Sequence, residues 1–157
     1  MDKLYLVIPC YNEEEVLHDT SVQLYEKMNA LINAGKISPE SRIVFVNDGS
    51  KDKTWQIIEE LHSQDKIFQG IKLSRNKGHQ NALLAGLMTV KSKCDMTISL
   101  DADLQDDINA IDAMVDKYYE GCDIVYGVRS ARETDTFFKR TTAEGFYKLI
   151  KAMGADI

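Results

Sequence analysis

Residues 101–107, Asp101-Ala-Asp103-Leu-Gln105-Asp106-Asp107, place four carboxylates within seven positions directly behind the largely apolar stretch 96–100. In an extended segment, side chains two apart point the same way, so Asp101 and Asp103 can present their carboxylates together. Left alone, they repel. A hard divalent cation, magnesium or manganese, removes that cost, takes oxygen ligands and keeps positions open for phosphate oxygens and water. Gln105 can supply another oxygen. The plainer reading, an acidic loop that caps the next helix, suits Asp106 or Asp107, since negative charge is favourable at a helix N-terminus.

The matching half is cationic. Arg75 and Lys77, then Arg129, Arg132, Lys139 and Arg140, can hold phosphate oxygens, with arginine suited to two-pronged contacts. Lys139 and Arg140 stand near Glu133 and Asp135 and read almost as well as solvated surface charge. Gly78-His79 opens a helix, where the imidazole either donates to a phosphate or packs locally.

These groups must be positioned by regular elements, and the pattern supplies them. Leu4 to Pro9, Arg42 to Val46, Gly70 to Leu73, Met96 to Leu100 and Asp123 to Tyr126 read as five short buried strands. Between them, apolar residues recur at helical spacing from Val16 to Ile32, around Trp55, Ile58 and Leu61, from Ala82 to Val90, and from Ile108 to Tyr118. Asn12 with Glu15 resembles a capping box, and Gly35 and Gly121 close helices. Strands alternating with helices predict an α/β fold with a parallel sheet, right-handed crossovers and helices on both faces.

In such a sheet the ligand crevice lies beyond the carboxyl ends of the strands. The segments that follow the strands are 9–13, 47–50, 74–81, 101–105 and 127–129, so all five share one rim. Each alone is a turn, a cap or a solvated loop. Their common position is what raises them above that, because the opposite rim offers less distinctive residues such as Ser92-Lys-Cys-Asp95.

Composition bounds the answer. A chain of 157 residues, 44% hydrophobic and 28% charged, is an ordinary globular sequence and fits a single domain spanning 1–157. No stretch approaches the about 20 apolar residues of a spanning helix, and the Met-Asp-Lys start lacks the features of a signal peptide, so a cytoplasmic chain is expected. Cys10, Cys94 and Cys122 show no C-x-x-C pairing and suggest neither a disulfide framework nor a zinc site. Residues 1–128 carry 13 basic and 21 acidic side chains, whereas 129–157 carry 6 and 4. That distribution favours a local anionic ligand over nucleic acid. The place of a dinucleotide-binding G-x-G-x-x-G is taken by Pro-Cys-Tyr-Asn-Glu, and no P-loop motif occurs.

Taken together, Ile8-Pro-Cys-Tyr-Asn-Glu13, Val46-Asn-Asp-Gly-Ser-Lys-Asp-Lys-Thr54, Ser74-Arg-Asn-Lys-Gly-His-Gln-Asn81 and Asp101-Ala-Asp-Leu-Gln-Asp106 resemble the family-two glycosyltransferases with the Rossmann-like GT-A fold. With Tyr126-Gly-Val-Arg129 and Phe146-Tyr-Lys-Leu-Ile150, the chain is similar to the branch that moves a sugar from a nucleotide onto a polyprenyl phosphate, such as dolichol-phosphate mannose synthase. The resemblance implies that Pro9, Tyr11 and Glu13 line a nucleoside pocket, that Asp48 meets the base and that Asp101 sits beside ribose and diphosphate. It further implies that Asp103 and Gln105 hold magnesium or manganese, and that Arg129 and Arg132 face the phosphates of donor or lipid acceptor. Arg75 and Lys77 join the donor-binding set, and Asp101, Asp103, Arg129 and Arg132 the catalytic one.

The implied function is metal-dependent, inverting transfer from a nucleotide-sugar donor, uridine-linked, to a polyprenyl phosphate at the cytosolic face of a membrane. Transfer onto a polysaccharide or glycan, or an inactive nucleotide-binding module, are the alternatives. The Asp-Phe-Arg type motif of the family falls beyond Ile157, so the catalytic base and any membrane helices are expected in a downstream part. Within 137–153, Phe146, Leu149, Ile150 and Met153 share one helical face, which would either lie on a membrane surface or cover the sheet. Nothing in the sequence decides the sugar or whether the protein forms a homo-oligomer.

Overall fold

Seven consecutive buried residues form β1 (Leu4–Cys10), as expected of a central parallel strand covered on both faces. The structure, a computed structural model, describes residues 1–105 and 107–126. After β1 come α1 (Leu17–Asn33), β2 (Arg42–Asn47), α2 (Thr54–Gln64), β3 (Phe68–Lys72), α3 (His79–Val90), β4 (Met96–Ser99) and α4 (Ala110–Tyr119). The chain forms two compact units. Met1–Asn109 holds the four strands and first three helices, and Ala110–Ile157 begins with α4.

The described sheet runs in the order β3-β2-β1-β4, with every pairing parallel. The chain therefore builds outward from β1 to β3 and then returns to the other side of β1, where it places β4. That reversal makes the β1/β4 boundary the topological switch point, the location at which an open α/β sheet leaves a crevice.

Close packing fixes the two faces. On one, Tyr5, Val7, Val44 and Val46 meet Ala82 and Val90 of α3. A Cβ on Gly86 would lie 2.6 Å from Val7 Cγ1 and 2.7 Å from Val46 Cγ2, so this helix rests on the sheet only because residue 86 lacks a side chain. On the other face, Tyr25 of α1 stacks on Phe68 and Phe68 on Phe45, at centroid separations of 5.8 and 6.2 Å.

Three expectations shift in the structure. The strand expected at 70–73 begins at Phe68, because Phe68 is buried and Gly70 faces Trp55 and Ile58. α3 begins at His79, as expected of Gly78-His79 opening a helix, with Gly78 as its N-cap at φ 92°. Over 123–126, expected as a strand, the described residues form none, and Ile124 and Tyr126 stand exposed there. The capping box is also not made: α1 starts at Leu17 with no side-chain cap, and Asn12 serves elsewhere. Gly35, at φ 75°, does end α1 in the expected way, its N–H bonding Ile32 O while Lys36 N–H bonds Leu31 O.

Candidate functional site

The loops after β1 and β2 hold each other before they hold anything else. Asn12, at a left-handed φ of 53°, accepts the Lys51 N–H on its side-chain oxygen at 2.9 Å and donates its own N–H to Ser50 Oγ at 2.9 Å. Glu13 N–H donates to Thr54 Oγ1, whose hydroxyl donates in turn to Asp52 Oδ1. Glu14 N–H reaches Asp52 Oδ2, and Lys53 N–H reaches Glu14 Oε2. Burial raises the Asp52 pKa, but the Thr54 hydroxyl and the N–H groups of Thr54 and Glu14 outweigh it and leave the carboxyl lowered.

The loop after β3 is docked on Asp48. This nearly buried carboxylate accepts the Lys77 N–H on Oδ1 at 2.7 Å, its carbonyl accepts Asn76 Nδ2 at 3.2 Å, and its own N–H donates to Cys10 O at 2.8 Å. Gly49 makes the approach feasible. A Cβ there would stand 2.3 Å from Asn76 N, and the residue adopts φ 68°, which favours glycine.

After β4 the chain turns instead of continuing extended, with Leu104 N–H bonding Asp101 O at 3.1 Å and Leu104 at φ 50°. Ala102 points inward and is 3% exposed, while Asp101 and Asp103 on either side are exposed. The two carboxylates thus share a side, as the spacing suggested, but through a turn and not a strand. Thr20 of α1 donates its hydroxyl to the buried Ala102 carbonyl at 2.6 Å. Asp107 accepts the Asn109 N–H just ahead of α4, consistent with the capping role read for it.

These loops enclose a cavity of about 490 Å³. Its lining takes Pro9, Cys10, Tyr11 and Glu13 from beyond β1, Asp48 from β2, Asn76, Gly78 and His79 from β3, and Asp101 to Asp103 from β4. Five expected residues, Pro9, Tyr11, Glu13, Asp48 and Asp101, meet there together with Asp103. Arg75, Lys77 and Gln105 are exposed and outside this lining, although their neighbours Asn76 and Gly78 belong to it. Arg129 and Arg132, with Lys139 and Arg140, lie outside the described residues.

The electrostatics are one-sided. Four carboxylates line the cavity, and among the described lining residues there is no lysine or arginine. His79 is the sole basic group, its Nε2 3.5 Å from Asp101 Oδ1. Desolvation raises the pKa of Glu13, and the charges of Asp103, Asp52 and Asp101 raise it further. Burial also pushes the Cys10 thiol well up, so this cysteine is no ready nucleophile. No cluster of three or more His, Cys, Asp or Glu side chains is preassembled for a metal among the described residues.

Sequence reasoning missed Asn76, Thr20, Ser50 and Thr54. Asn76, Ser50 and Thr54 lay inside motifs already singled out and Thr20 did not, but Ser50, Thr54 and Thr20 act through partners between 38 and 82 positions away, and no local signal announces such a bond.

Residues 5–155 match the family described as Glycosyl transferase family 2. An uncharacterized glycosyltransferase of Bacillus subtilis, YkoT, is 55% identical over 154 residues, which is 98% of this chain and 46% of the relative. A prophage bactoprenol glucosyl transferase homolog of Escherichia coli is 41% identical over 149 residues, 94% of this chain and 45% of its own length. The chain spans about half the length of these curated relatives. Among solved structures, residues 1–349 of S. aureus TarS in complex with UDP superpose with a TM-score of 0.52 at 19% identity, covering 85% of this chain and 40% of that one. At that identity the likeness is one of fold, and it agrees with the GT-A architecture expected.

Proposed function

We propose a donor site and a reaction on the premise that this chain belongs to glycosyl transferase family 2: the cavity at the switch point binds a uridine-linked sugar nucleotide, and the protein transfers its sugar, with inversion, to a polyprenyl phosphate. The observation that carries the donor half is the cavity itself, of ligand size, with polar groups converging from the loops after all four strands. The acceptor half is supported by relatives named bactoprenol glucosyl transferase, found in Escherichia coli and in Shigella phage SfX at 41% and 40% identity.

In this reading Pro9, Tyr11 and Glu13 flank the nucleoside, Asp48 meets the base, and Asp101 takes the ribose and the adjoining diphosphate. Asp103 and Gln105 hold magnesium or manganese. The donor set fits such an ion, being hard oxygen throughout and gathering four carboxylates around one cavity. With few protein ligands at hand, such an ion would leave positions for phosphate oxygens and water. When bound, the ion would offset charge developing on the departing nucleoside diphosphate. Arg75 and Lys77 approach the phosphates from the rim, and Arg129 and Arg132 face donor or lipid phosphate. A phosphate acceptor is already largely ionised near neutral pH, which lessens the demand for a general base. Such an acceptor places the reaction at the cytosolic membrane surface. No helix among the described residues is long and apolar enough to cross the membrane.

Calorimetric titration with UDP and manganese tests the donor half. Asp103→Ala should weaken metal-dependent binding by about 10- to 100-fold, and an unchanged affinity would remove the assignment. For the acceptor, the full-length protein is incubated with labelled donor and either a polyprenyl phosphate or soluble glycans. Label found only on the glycans would replace the lipid reading with the glycan one.

A further inference from the structure

We infer that Thr20 is a positioning residue for the acidic turn after β4: its hydroxyl, bonded to the Ala102 carbonyl, sets the direction in which Asp101 and Asp103 face the cavity. The bond is short, 2.6 Å, and joins residues 82 positions apart. Both ends are buried, Thr20 and Ala102 each being 3% exposed, so water does not compete for the carbonyl. Thr20 does not line the cavity and acts only through Ala102.

The turn needs such an anchor. Leu104 sits at φ 50°, a conformation that a branched apolar residue keeps only where its surroundings impose it. Two local bonds brace the turn, Leu104 N–H to Asp101 O at 3.1 Å and Gln105 N–H to Asp103 Oδ1 at 3.4 Å, but both lie within the turn and cannot orient it against the sheet. On the upstream side Leu100 N–H bonds Val7 O. From there to Leu104, the Thr20 hydroxyl is the tie to another element that the backbone of the turn makes through hydrogen bonds among the described residues, the 3.5 Å contact of His79 Nε2 with Asp101 Oδ1 reaching a side chain only. With the Ala102 carbonyl held inward, its two acidic neighbours are turned outward together. Thr20 itself is rigidly placed in the first turn of α1, where its N–H bonds Val16 O.

The ligand consequence rests on the donor reading above, whereas the geometric one does not, and the experiment separates them. In the full chain, Thr20→Val keeps the shape and deletes the hydroxyl, and Thr20→Ser restores it. Without ligand, Thr20→Val should shift the amide resonances of residues 101–105 and change the Leu104 backbone coupling, while Thr20→Ser keeps both near wild type. With UDP, Thr20→Val should weaken affinity about tenfold in manganese, the size seen when groups behind metal ligands are removed, and much less in chelator. Thr20→Ser should recover most of it. Should Thr20→Val fail to fold, Thr20→Ala carries the same expectations. Unchanged resonances in a folded hydroxyl deletion overturn the inference, as does a serine variant no better than the deletion. An equal loss with and without manganese also overturns it, since a merely structural bond would act that way. If wild type binds no UDP, the donor reading falls and the ligand-free spectra still decide the role of Thr20.

Discussion

The two rims of the sheet treat their charges differently. Where the strands begin, polar groups answer one another: Lys3 Nζ lies 3.0 Å from Glu40, Lys3 N–H donates to Asp95, and Leu4 N–H donates to the Ser41 hydroxyl. Hydrogen bonding and charge raise the Lys3 pKa and lower that of Glu40, as in a pair satisfied locally. Where the strands end, Glu13, Asp101 and Asp103 face a shared cavity, and burial, with the neighbouring carboxylate charges behind it, raises the Glu13 pKa. The fold spends considerable hydrogen bonding there on backbone placement, through Asn12, Asp48, Thr54 and Thr20, while no lysine or arginine lines the cavity among the described residues and His79 alone stands beside Asp101. A protein gains nothing in stability from that arrangement, so its use is a ligand that brings positive charge or donors.

The contrast can be broken most forcefully at Gly49. Gly49→Ala would push a Cβ into the Arg75–Asn76 backbone at a left-handed φ. It should cost about 3 kcal/mol or more in denaturant unfolding and abolish nucleotide binding. A variant as stable as wild type would show that the third loop is not docked on the second. Next in size is Asn12→Ala, which removes the acceptor for Lys51 N–H and strains φ 53°. The expected loss is about 1–2 kcal/mol, with Asn12→Gly recovering the strain but not the bond; a loss confined to glycine would reverse that account.

Glu13→Gln should do the opposite to stability. Because the fold disfavours its ionised form, wild-type stability declines as pH rises from the ordinary glutamate range through the raised folded value. Glutamine lacks that decline, so near neutral pH the variant should gain roughly a few tenths of a kcal/mol, discounted for partial exposure, and the gain should vanish in acid. Thermal melts across pH read this, and a gain that grows on acidification contradicts it. UDP affinity should fall in the same variant. The smallest effect belongs to the other rim: Lys3→Ala, losing a solvent-exposed pair, should leave melting temperature and nucleotide binding within measurement error.

The core was legible because its chemistry is local. β1 and β2 are unbroken apolar runs, and α1 and α2 repeat their apolar residues at helical spacing, which burial on the sheet demands. Of the cavity, the sequence revealed the acids and the glycines of the turns, since these residue types behind strands are unusual wherever they occur. Edges were harder. β3 has a buried residue at only one end of its span, so apolar continuity misplaced it by two residues. Asn12 carried a helix-capping signature that a bond to Lys51, 39 positions on, overrode.

The order of residues alone thus determined the four strands and four helices that form, though not that the described residues form no strand over 123–126, and which loops gather at the carboxyl rim, because alternating buried strands and amphipathic helices leave few ways to connect them. Only the tertiary structure decided that β4 returns beside β1, that Gly86 and Gly49 permit the close approaches, and that Thr20 reaches Ala102. Those outcomes depend on distances between residues far apart in the chain, and a hydrogen bond or a van der Waals contact leaves no mark on either partner's neighbours in sequence.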